Sequence, residues 1–159
     1  MAIRKIFENG DPCLRKTSKP VLLFDDRLHS LLDDMADTLY KANGVGLAAP
    51  QIGFLKRIVV IDILDGNGLI EMINPKILAC PGEQTGPEGC LSVPGFQGTV
   101  TRPNSVTVLF QDRNGETRQM TGSELFARAV CHELDHLDGK LYIDIAKNLE
   151  AVQPEEEDK

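Results

Sequence analysis

The segment His132 to His136, which reads H-E-L-D-H, constrains the fold more than any other part of the chain. Two histidines four residues apart lie one above the other only in an α-helix, which repeats every 3.6 residues. Both rings can then direct a nitrogen at one metal ion, and Glu133, about 100° round the helix, can reach a metal-bound water. The motif therefore predicts a metal-binding helix that carries two ligands and a base.

A catalytic site of this kind needs a third protein ligand and an open position for water. Cys90 is the upstream candidate, because glycines and prolines surround it and a solvated free thiol there would be prone to oxidation. Cys131 is the alternative, but it projects about 100° away from His132 and is expected to pack in the core. The remaining histidine, His29, is expected at the surface of another helix.

Apolar residues recur at helical spacing over 25–43, which predicts an N-terminal helix. Asp25 or Asp26 can cap its start, and Gly44 can end it. The apolar stripe consists of Leu28, Leu31, Leu32, Met35 and Leu39.

Two turn signals, Asp65 to Gly68 and Arg113 to Gly115, each separate a pair of strand-like runs. Each pair is expected to form an antiparallel hairpin. The strands predicted in this way are 57–64, 69–78, 104–112 and 116–120.

The last helix is predicted from Thr121, which is spaced as a capping box with Glu124, to about Asp138. The sequence thus favours an α+β fold, with antiparallel β-sheets packed around the C-terminal metal-binding helix and one N-terminal helix. A single catalytic domain is expected over 1–147, followed by an acidic, flexible tail over 148–159.

The stretch from Gly44 to Gly53, GVGLAAPQIG, has the G-x-G-x-x-A spacing of a dinucleotide-binding loop. Such a loop must follow a strand and open a helix, because the helix N-terminus binds the pyrophosphate. Here a predicted helix precedes the stretch and a predicted strand follows it, and Pro50 removes a backbone donor. These glycines therefore serve another purpose.

The net charge of −7 and the scattered lysines and arginines argue against direct binding to nucleic acid. The chain has no apolar run long enough to span a membrane, and its N-terminus does not resemble a secretion signal. A cytoplasmic location is therefore expected. The four cysteines lack a C-x-x-C pattern and are expected to be free thiols.

Three motifs occur in a fixed order: GVGLAAPQIG at 44–53, EGCLSVPG at 88–95 and CHELDHLDG at 131–139. With them the chain resembles the peptide deformylase family, and the resemblance extends from residue 3 to about residue 145. It implies a metal-dependent hydrolase that removes the N-formyl group from the initiator methionine of new polypeptides and releases formate.

The resemblance also implies roles for residues in the three motifs. Glu133 transfers protons, while the side chain of Gln51 and the backbone N–H of Leu91 stabilise the oxyanion that forms during hydrolysis. The usual native metal of the family is ferrous iron, and zinc, nickel or cobalt can occupy the site. The implied ligands are Cys90, His132 and His136.

The peptide substrate of the family lies extended beside the glycine-rich motif, where Val45 and Gly46 supply main-chain hydrogen bonds, and Gly89 is a further candidate for substrate binding. Backbone bonding of this kind tolerates varied side chains beyond the first methionine. The pocket for the methionine side chain is expected to be walled by Val45, Leu125 and Ala129, of which the last two lie on the helix face of His132.

Glu88 and Arg102 are expected to form an ion pair that steadies the metal ligands.

Two positions depart from the pattern of the family. Cys131 stands where relatives often carry glutamine, and Arg128 introduces a charge near the expected mouth of the pocket.

Two other functions are compatible with the H-E-x-x-H motif. A zinc endopeptidase shares the motif and would cleave internal peptide bonds. A binding protein with a structural metal would have four protein ligands and no bound water.

Overall fold

A computed structural model describes residues 2–152 of the chain. Within these residues, two α-helices and eight β-strands are joined by turns and three short 3₁₀ helices. The helices are α1 (Asp26–Lys41) and α2 (Leu125–Leu137). The strands are β1 (Gly46–Ala48), β2 (Ile58–Ile61), β3 (Ile70–Ala79), β4 (Gln84–Cys90), β5 (Val93–Arg102), β6 (Ser105–Gln111), β7 (Thr117–Ser123) and β8 (Lys147–Ala151).

The strands form two antiparallel sheets. The larger sheet has the order β1-β2-β3-β6-β7, and the smaller has the order β4-β5-β8. The strands β1 and β4 therefore each lie at a sheet edge, and on one side no other strand of the described part of the chain pairs with their backbone groups.

The larger sheet is packed between the two helices. Val59 and Ile61 of β2 belong to the apolar cluster that includes the buried face of α2, whereas Ile58 and Val60 belong to the cluster around α1. This alternation follows from the two-residue repeat of a strand, and all four side chains are buried. The expected α+β fold, with antiparallel sheets around a C-terminal helix, is confirmed.

Helix α1 follows the predicted pattern closely. Asp25 caps its start by accepting a hydrogen bond from the backbone N–H of Leu28. At its end, the residue with a positive φ is Asn43, at 57°, rather than Gly44, which was expected to end the helix. Gly44 is required for a different reason: a Cβ atom there would lie 2.8 Å from the side chain of Leu91.

The predicted start of the last helix is wrong. Thr121 lies in β7, whose pairing with β6 continues as far as Ser123. Glu124 then has a positive φ of 57° with ψ of −119° and makes no side-chain capping bond. The ladder with β6 thus continues through the residues that the capping-box pattern assigned to the helix, and α2 begins at Leu125.

The segment around Cys90 is more regular than its glycines and prolines suggested. It forms the hairpin of β4 and β5, in which Pro87 is tolerated because β4 is an edge strand. Strand β8 pairs with β5 and includes residues 148–151, which the sequence assigned to the tail. Residues 153–159 lie outside the described part of the chain.

Three smaller expectations concern single residues and the membrane. All four cysteines are free thiols, as predicted. His29 is half-buried rather than fully exposed, and its Nε2 lies 2.7 Å from the carbonyl oxygen of Arg113. Within residues 2–152 we find no helix with the length and apolar character needed to cross a membrane.

Candidate metal centre

Helix α2 and strand β4 bring the three predicted ligands together. His132 and His136 lie one turn apart on α2, with ring centroids 5.1 Å apart, and Cys90 ends β4. The Sγ atom of Cys90 is 3.4 Å from Nε2 of His136, and one ligand atom from each residue lies within 4.8 Å of the others. Residues 46 positions apart in sequence therefore converge on one point.

This arrangement fits a single divalent ion. Metal–sulfur and metal–nitrogen bonds of about 2.3 and 2.0–2.1 Å in a tetrahedral site place ligand atoms at separations compatible with those observed. One thiolate and two imidazoles suit zinc, iron or nickel. Both histidines are buried, and burial holds the pKa of His136 well below its usual value, which favours the neutral ring that a metal needs.

Glu88 fixes the orientation of His132. Its Oε1 accepts hydrogen bonds from Nδ1 of His132 and from Nη2 of Arg102, both at 2.9 Å. Its Oε2 accepts from Nε of Arg102 at 2.8 Å and from Nη1 of Arg128 at 2.6 Å. Since Nδ1 of His132 is committed to Glu88, Nε2 is the nitrogen left for a metal.

These bonds also determine the charge of Glu88. Burial alone would raise its pKa, but hydrogen bonds from Arg102 and His132 outweigh burial and lower the pKa to about 2. The expected Glu88–Arg102 pair is thus present in the structure. Arg102 also contacts Asp135 at 2.8 Å, and Arg128 binds Glu88, a contact that sequence reasoning missed.

Glu133 is a second acidic side chain beside the ligands. Its carboxylate is buried, and among residues 2–152 its Oε1 has no hydrogen-bond partner. Burial raises its pKa to about 7. A carboxylate with an unpaired oxygen and a pKa near neutrality is suited to accept and return a proton.

Gln51 directs its amide toward the same centre. Its Oε1 accepts from the backbone N–H of Ala48 at 2.9 Å, which orients Nε2 toward Oγ of Ser92 at 3.0 Å and Sγ of Cys90 at 3.7 Å. The fully buried Ser92 was missed from the sequence, although its place two residues after Cys90 is a signal. Its backbone N–H donates to Sγ of Cys90 at 3.4 Å.

A cleft of about 380 Å³ opens beside the centre, between the edges of β1 and β4. Ala129 is buried in its wall, while Val45 and Leu125 are 38% and 47% exposed. The cleft brings together the predicted substrate-binding and oxyanion residues, namely Val45, Gly46, Gln51, Gly89, Leu91, Leu125 and Ala129.

The backbone of β1 distinguishes Val45 from Gly46. The carbonyl oxygen of Val45 accepts from the backbone N–H of Asp62 at 2.8 Å, so it is already used within the sheet. Successive residues of a strand direct their backbone groups to opposite sides. Gly46 therefore presents its N–H and C=O at the free edge, whereas Val45 contributes its side chain to the cleft.

Cys131 packs away from the ligands, in the core between α2 and the larger sheet. Burial raises the pKa of its thiol to about 11, so it stays protonated and inert. Of the two cysteines considered as the third ligand, the structure places Cys90 with the histidines.

Comparisons with known proteins indicate one family. A family model described as "Polypeptide deformylase" matches residues 3–152. A curated peptide deformylase from Acetivibrio thermocellus is 58% identical over 144 residues, which cover 91% of this chain and 84% of that protein.

Solved structures show the same fold. A peptide deformylase from Legionella pneumophila has a TM-score of 0.89 and 49% identity, and covers 92% of this chain and 88% of its own. A peptide deformylase from Synechococcus elongatus, in complex with actinonin, has a TM-score of 0.86 and 40% identity, with coverages of 90% and 78%.

The fold and the site define a metal-dependent hydrolase. More narrowly, the chain belongs to the polypeptide deformylase family, whose members remove the N-formyl group from nascent chains. The resemblance seen in the three sequence motifs is confirmed.

Proposed function

We propose that Glu133 and the three ligands Cys90, His132 and His136 form the catalytic centre that hydrolyses the formyl C–N bond of N-formylmethionyl peptides and releases formate. The observation that carries this proposal is their convergence: three ligand atoms within 4.8 Å of one another, beside a buried carboxylate with an unpaired oxygen.

The proposed cofactor is one divalent ion per chain, with ferrous iron as the native metal and zinc, nickel or cobalt able to occupy the site. When bound, such an ion lowers the pKa of a coordinated water and polarises the formyl oxygen. The ion is held by Sγ of Cys90 and by one ring nitrogen from each histidine.

Glu133 accepts the proton of the attacking water and later returns it to the departing amine. The negative charge that develops on the formyl oxygen is met by Nε2 of Gln51 and by the backbone N–H of Leu91. The fixed Oε1 of Gln51, bonded to Ala48, keeps the donating end of the amide in place.

The peptide lies extended in the cleft and pairs with the free edge of β1 through Gly46, with Gly89 of β4 on the opposite side. The first side chain enters the pocket walled by Val45, Leu125 and Ala129. The partners are thus nascent formylated peptides, met in the cytoplasm without direct binding to nucleic acid.

The test is formate release from formyl-Met-Ala-Ser by anaerobically purified protein, measured together with metal content. The Glu133→Gln variant should retain its metal and lose activity by at least about 100-fold, because the proton acceptor alone is removed. Glu116→Gln, which changes an exposed carboxylate in a distant turn, is the matched control and should retain full activity.

Undiminished activity of Glu133→Gln would refute the role of this residue. Cleavage of an internally blocked peptide that lacks the formyl group would favour the endopeptidase alternative. A fourth protein ligand in place of water would favour the structural-metal alternative.

A further inference from the structure

The face of α2 that lines the cleft is not uniformly apolar. Arg128, Ala129 and His132 lie three, four and seven residues after Leu125, which places them on one helix face, and all four residues line the cleft. The wall that receives the first side chain of a substrate therefore contains a guanidinium group between two apolar residues.

Arg128 is held in this wall. Its Nη1 donates to Oε2 of Glu88 at 2.6 Å and to the carbonyl oxygen of Val100 at 3.2 Å, and its Nη2 donates to Oε1 of Gln84 at 3.4 Å. A Cβ atom at Gly86 would lie 3.4 Å from Nη2, so this glycine leaves room for the group. The side chain is 11% exposed.

Arg128 retains donors that the protein does not use. A guanidinium has five N–H groups, and three of those of Arg128 have acceptors within residues 2–152. The Nε hydrogen and one Nη2 hydrogen remain. Glu88 also accepts two hydrogen bonds from Arg102, so Arg128 is not the only cation that it contacts.

We propose that Arg128 is a specificity-determining residue. Its free donors allow the pocket to accept formylated peptides whose first side chain ends in a hydrogen-bond acceptor, the chemical class represented by methionine sulfoxide. The sulfoxide oxygen would be left unpaired in a wholly apolar pocket, at a substantial cost in binding. This inference rests on the proposed function, which places the first side chain against α2.

The experiment compares kcat/KM for three peptides: formyl-Met-Ala-Ser, the same peptide with methionine sulfoxide, and the same peptide with norleucine, which has neither sulfur nor oxygen. The sulfoxide-to-norleucine ratio should fall about tenfold in Arg128→Leu and less in Arg128→Lys, which keeps the charge. Arg118→Leu, in the distant β6–β7 hairpin, is the control and should not alter the ratio.

An unchanged ratio in Arg128→Leu would overturn the proposal, as would an equal loss with all three peptides, which is the result expected if Arg128 acts through Glu88. The Arg128→Lys variant, with circular dichroism of both variants, covers the case in which Arg128→Leu does not fold. Calorimetry of the unformylated peptides with the metal-loaded protein gives the corresponding sulfoxide-to-norleucine ratio of binding constants. If the Arg128 variants alter this binding ratio but none of the formylated peptides is hydrolysed, the result contradicts the proposed function and not the role of Arg128.

Discussion

Gly46 and Glu133 are fitted to each other at the candidate metal centre. A Cβ atom at position 46 would lie 2.6 Å from Oε2 of Glu133 and 2.8 Å from its Cγ, closer than real Cβ atoms approach their neighbours. The absence of a side chain at Gly46 therefore lets the free edge of β1 pass directly beside the buried carboxylate. This close approach explains one glycine of the motif that first resembled a nucleotide loop.

The substitution Gly46→Ala tests this fit. The added methyl group must displace Glu133 or β1 by a few tenths of an ångström or more, and displacements of about 1 Å can cost roughly 100-fold in rate. We expect a loss of one to two orders of magnitude in formate release, with metal content unchanged. Gly86→Ala, where a Cβ atom meets only the end of the Arg128 side chain at 3.4 Å, is the control and should change activity much less.

The secondary structure was predictable where hydrophobic periodicity and local turn residues agree. Helix α1 and the two hairpins joined at Asp65 to Gly68 and Arg113 to Gly115 have both signals, and all three are present. Strands β4, β5 and β8 were missed because they lie in an exposed sheet, where glycine, proline and charged residues are compatible with pairing.

The metal ligands on α2 were predictable because a single helix places them. The third ligand, Cys90, required either the resemblance or the structure, since its partners lie more than 40 residues away. The bonds of Glu88 to Arg128 and of Gln51 to Ser92 join separate elements, so no local pattern encodes them.

Asp34 joins the N-terminal segment to α1. Its side chain accepts from the backbone N–H of Ala2 at 2.6 Å and from Nε of Arg4 at 2.8 Å. Burial alone would raise its pKa, but the contacts with Arg4 and Ala2 outweigh burial and lower the pKa below the usual value of 3.8. A carboxyl whose pKa is lowered in the folded state stabilises the fold above its unfolded pKa, and this contribution is lost as the pH falls through the folded pKa.

We therefore expect Asp34→Asn to lower the free energy of unfolding at pH 7 by about 1 kcal/mol, since Arg4 is partly exposed. The difference from the unsubstituted protein should shrink below about pH 4, where the carboxyl begins to protonate. Urea unfolding at several pH values between 7 and 3 measures this difference in the free energy of unfolding. Asp37→Asn on the same helix is the control, and a difference that stays constant with pH would contradict this explanation.

Separate parts of the chain contribute to one site, because its ligands and donors come from β1, β4, α2 and the short segments that follow β1 and β4. The family match covers residues 3–152, beyond the expected domain end at residue 147. We propose that residues up to 152 form a single catalytic domain, with β8 as part of the smaller sheet.

Two shortened chains test this domain boundary. A chain that ends at Val152 should retain the melting temperature and activity of the full chain. A chain that ends at Ala146 loses β8 and its pairing with β5, and its melting temperature should fall by several degrees. Equal melting temperatures of the two shortened chains would show that β8 contributes nothing to the domain.

The coordination of the ion is tested most directly by X-ray absorption spectroscopy of the zinc-loaded protein. We predict one sulfur at about 2.3 Å, two nitrogens at about 2.0–2.1 Å and one further light atom from water. A spectrum without sulfur, or with a second sulfur in place of the water, would contradict a centre formed by Cys90, His132 and His136 with one position open.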